Sequence, residues 1–75
     1  MNNFDLKVTA VRFNKISLIV HLSDEREITL PLDQYPHLHD ASDEARNKWR
    51  LIGRGQGIHW EAIDEDLSVA GFLKF

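Results

Sequence analysis

Seventy-five residues with no cysteine and a formal charge of −3 describe one small domain with neither a disulfide nor a thiolate metal site to staple it. No apolar run approaches the ~20 residues of a membrane-spanning helix, and the start Met1-Asn2-Asn3-Phe4-Asp5 lacks the basic-then-apolar order of a secretory signal. A cytoplasmic protein is therefore expected, and the acidic balance argues against a dedicated nucleic-acid binder, which usually carries a basic excess.

The first half reads as strands. From Leu6 to Phe13 the chain is β-rich, but Leu6, Val8 and Ala10 fall on one face and Val11 and Phe13 on the other. Either both faces are partly covered or a bulge shifts the phase. Asn14-Lys15 suits a tight hairpin, since Asn tolerates positive φ. Ile16, Leu18, Val20 and Leu22 then alternate with Ser17, Ile19 and His21, the period of a half-buried strand. After the turn-like Ser23-Asp24-Glu25-Arg26, the residues Ile28, Leu30 and Leu32 resume the alternation, completing an antiparallel meander. Pro31 and Pro36 cannot donate to a ladder, so the sheet should pause there.

A helix is predicted next, capped by Ser42 with Asp43 and Glu44 in its first turn. Leu38, Ala41, Ala45 and Trp49 are spaced to place one apolar stripe on the sheet, and Glu44 and Lys48 are an i,i+4 pair. The pattern then turns extended again: Arg50-Leu51-Ile52, a glycine turn, and Gly57-Ile58-His59-Trp60, read as two short strands or one bent hairpin. The acidic residues Asp64 and Asp66 suit turns, and Asp66 or Ser68 can cap a last helical turn that returns Val69, Phe72 and Leu73 to the core. The predicted class is α+β: a single domain over residues 1–75 with a small antiparallel sheet (meander plus C-terminal hairpin) and one or two short helices.

Gly53, Gly55 and Gly57 match neither a dinucleotide fingerprint nor a P-loop. They read as a tight turn that lets Trp49 and Trp60 pack closely, in one core with Ile58, Leu18, Val20 and Leu30. A lesser reading presents backbone N–H groups beside Arg54 to an anion. His37 and His39 with Asp40, joined by His59 or His21, have the donors for a divalent metal, but histidines in a Pro-bounded loop are more often solvent-exposed. His59-x-Glu61 lacks the cysteines of a zinc deaminase. A calcium loop starting at Asp64 would need Gly where Val69 stands and Glu where Phe75 stands. The serines show no nucleophile signature, so no enzyme, cofactor or metal is expected.

Charge is placed unevenly. Arg46, Lys48, Arg50 and Arg54 have no acid among them, and Glu61, Asp64, Glu65 and Asp66 follow. The plain reading is mutual neutralisation or solvation; the sharper one is a dipolar patch that orients a partner protein. Val11 and Ile19 point away from the better-patterned strand faces, and the apolar surface they would leave suggests a homodimer when a partner is absent.

Pro31-Leu32, Tyr35-Pro36, Leu38, Ala41, Arg46-x-x-Trp49, Gly53-x-Gly55-x-Gly57-Ile58-x-Trp60 and Asp64-Glu65-Asp66-Leu67-Ser68 together resemble the bacterial family catalogued as domain of unknown function 2442. The resemblance runs from about Val8 to Leu73. One departure is Asp24-Glu25, where the family often has an acid or Asn followed by Gly. The resemblance implies a small α+β domain with an antiparallel sheet, no catalytic residues to carry over, and a likeness to proteins encoded beside another short protein, as in toxin–antitoxin pairs. Some members carry a C-terminal helix-turn-helix; ending at Phe75, this chain is expected to lack that part. The function expected is a non-enzymatic protein-binding module, the antitoxin-like or accessory partner of a neighbouring small protein. The alternatives are a regulator contacting nucleic acid through the four cations with Trp49 or Trp60 as stacking platform, and a His/carboxylate metal-binding protein.

Overall fold

A computed structural model describes residues 6–73. The β-branched and leucine-rich first half forms β1 (Val8–Phe13), β2 (Ser17–Leu22) and β3 (Glu27–Pro31), an antiparallel sheet in the order β1-β2-β3. A register shift between Val8 and Ala10 resolves the broken alternation: the extra residue brings Val8 and Val11 to the same buried side. Asn14 closes the first hairpin by a different device from the positive φ expected of it. Its Oδ1 accepts the N–H groups of Ile16 (3.0 Å) and Ser17 (2.7 Å), and its φ is not positive. The second hairpin turns through Ser23–Glu25, with Glu25 in the left-handed region at φ 73°.

Past β3, single helical turns replace the one predicted helix. Leu32–Gln34 is a 3-10 turn; α1 (Pro36–His39) and α2 (Asp43–Arg46) follow. Ser42 caps α2 as expected, accepting the Ala45 N–H at 3.1 Å, but its own backbone is extended, which separates the two turns. The predicted stripe therefore does not form: Trp49 lies beyond α2, in a strand. Helices this short gain little from propensity, and the pairing of Trp49 with Trp60 prevails.

The second half is another three-stranded antiparallel sheet, β4 (Trp49–Ile52), β5 (Gly57–Trp60) and β6 (Glu65–Ser68), in that order. The acidic segment read as turn is thus partly strand. Its turn lies just before, where Asp64 takes φ 53° after the 3-10 turn Glu61–Ile63. Helix α3 (Val69–Leu73) ends the described chain, and the Ser68 hydroxyl accepts the Gly71 N–H at 3.0 Å. The side chain of Leu73 lies outside the described residues.

The two sheets share one core. Val8, Val11, Leu18, Val20 and Leu22 meet Ile58 and Trp60, with Leu6, Leu32, Leu38 and Val69 closing the ends. Trp60 is fully buried, whereas Trp49 and Leu30 are only partly buried. The glycines hold the sheet junction rather than the tryptophans. Gly53, Arg54 and Gly55 take φ 59°, 58° and 88° in succession, and a Cβ on Gly55 would stand 3.0 Å from that of Lys7. The loop thus lies against the start of β1, where the Gln56 side-chain amide donates to the Leu6 carbonyl at 2.9 Å.

Val11 and Ile19, expected to leave apolar surface, are both buried. Val11 is in the core. Ile19 lies on the outer face with Arg12 and Thr29 beside it in the register. There Arg12 Nε reaches His21 Nε2 at 3.2 Å and its Nη2 reaches Glu27 at 3.5 Å, laying an aliphatic stem across the sheet. Among the described residues, Val11 and Ile19 therefore leave no apolar surface on the sheet. Among the described residues no helix is long and apolar enough to cross a membrane.

Candidate functional site

The four cations have separate fates. Arg46 is turned inward, with a side chain only 13 % exposed. Its Nε donates to the Leu38 carbonyl at 2.8 Å and its Nη2 to the His39 carbonyl at 2.7 Å, satisfying the open end of α1. The guanidinium also lies over the Phe13 ring, 5.8 Å from its centroid. Lys48 and Arg50 remain exposed, 3.9 Å from Glu44 and 3.3 Å from Glu61. Arg54 is exposed at the tip of the glycine loop. Neutralisation across the turn is thus realised between Arg50 and Glu61.

The acids and histidines divide into pairs. His37 Nδ1 is 3.2 Å from Glu65, His39 Nδ1 is 3.1 Å from Asp40, His21 Nδ1 is 3.2 Å from Glu27, and His59 Nδ1 contacts Asp66. Because each imidazole takes its own carboxylate, His37 and His39 do not join His59 or His21. Among the described residues no three metal-ligating side chains gather.

One polar corner was not foreseen. Glu65 begins β6 on the face that carries Trp60 and Ile58, so its carboxylate, 23 % exposed, needs a partner at the core's rim. His37 supplies it from α1, and Tyr35 stands nearby. Burial, with a smaller effect from the Glu65 charge, pushes the Tyr35 phenol above its ordinary value of 10.0. The corner ties α1 to β6, and the only sequence signal for it was the Tyr-Pro step placed ahead of a helical turn.

The serines are also engaged. Ser17 is buried, the Ser23 hydroxyl accepts the Lys7 N–H at 3.1 Å, and Ser42 and Ser68 cap α2 and α3. A cleft of about 500 Å³ lies between the first hairpin and α2, lined by Phe13, Asn14, Lys15, Asp43, Arg46 and Asn47. Its Arg46 is already committed to backbone carbonyls and lies 3.6 Å from Asp43.

The sheet edges differ sharply in protection. The glycine loop lies against the start of β1. Strand β3 ends in Pro31, which has no N–H, and begins with Glu27; β6 carries Glu65 and Asp66. Strand β4 has neither a covering loop nor a proline, and its one charged residue, Arg50, is a cation. It pairs with β5 on one side only, and among the described residues no backbone hydrogen bond reaches its other edge. Along it run Trp49, half-buried, Arg50, exposed, and Leu51, 38 % exposed. An open edge with large apolar side chains is a ready template for a pairing strand.

A family model described as protein of unknown function (DUF2442) matches residues 8–75. The chain is similar to a crystal structure of a protein of unknown function from Rhodospirillum rubrum ATCC 11170, at 28% identity and a TM-score of 0.78, covering 93% of this chain and 87% of that one. It is similar in fold to the solution NMR structure of an uncharacterised protein from Chromobacterium violaceum, at 21% identity and a TM-score of 0.77, covering 91% of this chain and 64% of that one. No curated protein matches.

Proposed function

The chain belongs to the family of proteins of unknown function DUF2442, and on that premise we propose that it is a small non-enzymatic module that binds another small protein along the open edge of β4. The contrast among edges supports this reading: among the described residues three are met by a loop, a proline or acids, whereas β4, with the cation Arg50 between Trp49 and Leu51, has neither a covering loop nor a proline. Backbone pairing along such an edge supplies affinity, and side chains on either face supply selectivity. The engagement of Ser23, Ser42 and Ser68 in caps and turns, with each histidine paired to its own acid, supports a role without catalysis. That the partner is encoded alongside, as for an antitoxin-like or accessory protein, rests on the family resemblance.

The test is co-purification with the product of the adjacent gene, followed by amide hydrogen exchange. A complex tighter than about 1 µM with slowed exchange at Trp49–Ile52 is expected; an interface on any other strand counts against the reading.

The nucleic-acid alternative retains less. Trp60 is fully buried and Arg46 faces inward, which leaves Lys48, Arg50, Arg54 and the part-buried Trp49. Its measurement is oligonucleotide binding at low salt, which must weaken steeply as ionic strength rises.

A further inference from the structure

The β4 edge also selects the chemistry of its occupant, an inference that rests on the docking reading above. In the register, Trp49 pairs with Trp60 and Leu51 with Ile58, whereas Arg50 pairs with His59 and, beyond it, Asp66. Apolar Trp49 and Leu51 therefore lie on one face of the edge strand and Arg50 on the other. Lys48 precedes the strand and Arg54 follows it in the loop, so in an acidic chain this segment of the edge is basic. The Lys48–Glu44 and Arg50–Glu61 pairs that touch it are exposed. Such pairs are held weakly and exchange readily for a new carboxylate.

We propose that the partner presents an extended segment alternating acidic and apolar residues, its apolar side chains beside Trp49 and Leu51 and its carboxylates beside Arg50 and the flanking Lys48 and Arg54. A second copy of β4 is a poor occupant: the antiparallel register that sets Trp49 against Leu51 also sets Arg50 against Arg50, a like-charge pair.

The probe is a synthetic eight-residue peptide of alternating Glu and Val, with an alternating Lys and Val peptide as control, titrated against the full chain and read by Trp fluorescence and hydrogen exchange. Trp49 reports the edge, because Trp60 is fully buried. The expected result is binding of the acidic peptide that protects Trp49–Ile52 and weakens about tenfold between low and physiological salt, with the basic peptide at least about tenfold weaker. Arg50→Glu should reverse that preference, and its unchanged melting shows that the variant is folded. Equal binding of the two peptides, binding of neither at about 1 mM, or a dimer of the free chain paired through β4 overturns the inference. If neither peptide binds while the co-purified partner still protects Trp49–Ile52, the acidic-strand inference falls and the docking edge stands. Protection elsewhere removes both.

Discussion

The indole N–H of Trp60 donates to the carbonyl of Arg46 at 2.9 Å, joining the second sheet to the helical turn that precedes it. The same indole meets Phe13 of the first sheet edge to face, at 6.4 Å and 71°, and the Arg46 guanidinium covers the Phe13 ring. Trp60 thus joins both sheets and the connecting turns at one point. Trp60→Ala should cost about 3–5 kcal/mol, enough to unfold most of so small a domain. Trp49→Ala, whose ring is only partly buried, should cost about half as much and leave a cooperative transition in urea. Equal losses for the two would contradict this placement of the rings.

Arg46 acts through geometry as well as charge. Its planar fork satisfies two carbonyls at the end of α1, so Arg46→Ala should destabilise by about 2–3 kcal/mol. Arg46→Lys should recover less than half of that, because an ammonium cannot reproduce the fork. Urea midpoints of the three proteins give the comparison.

Glu25 occupies a left-handed turn position at φ 73°, where a side chain is strained. Glu25→Gly should raise stability by about 0.5–1 kcal/mol, the relief of strain exceeding the added entropy of the unfolded chain. Gly55→Ala should do the opposite, losing about 2 kcal/mol, since its φ is 88° and the new Cβ would press on Lys7. Thermal melts of both variants measure the signs.

Two groups have displaced pKa values. Desolvation raises the Asp24 carboxyl, but the Arg26 backbone N–H, its guanidinium hydrogen bond and its charge outweigh that and hold the group below 3.8. The depressed value means that the stabilisation is complete above the unfolded value and is lost as pH falls through the folded one. Asp24→Asn should therefore flatten the acid limb of the stability curve below about pH 4. Tyr35 has the opposite displacement. The folded state holds its proton longer, so its contribution is complete below about pH 10 and is lost on further alkalinisation. As the chain has one tyrosine, phenolate absorbance reads this group directly, and a titration at the value of a free tyrosine would contradict the buried corner.

The sequence by itself determined the elements whose signals are local. Period-two alternation placed β2 and β3, and β-rich composition placed β1, with a bulge as one of two readings of its broken phase. Ser42 marked its helix cap, Ser68 is one of two candidates for the last, and the motifs from Pro31 to Ser68 named the family. The strands, the bulge and the caps depend on residues within a turn or a strand of one another. What the tertiary structure decided depends on partners far along the chain. Arg46 looked like a free surface cation because its carbonyl partners at Leu38 and His39 and its aromatic partner Phe13 are defined only by the fold. Trp49 carried helical spacing, yet pairing with Trp60 across a sheet outweighs the weak propensity of a one-turn helix. Asp66 reads as a turn or cap residue and Glu65 as part of an acidic stretch, yet both stand in a strand, where the half-buried Glu65 is met by His37 from α1. The open edge of β4 had no local signature at all, because an edge is defined by the strand that is missing beside it.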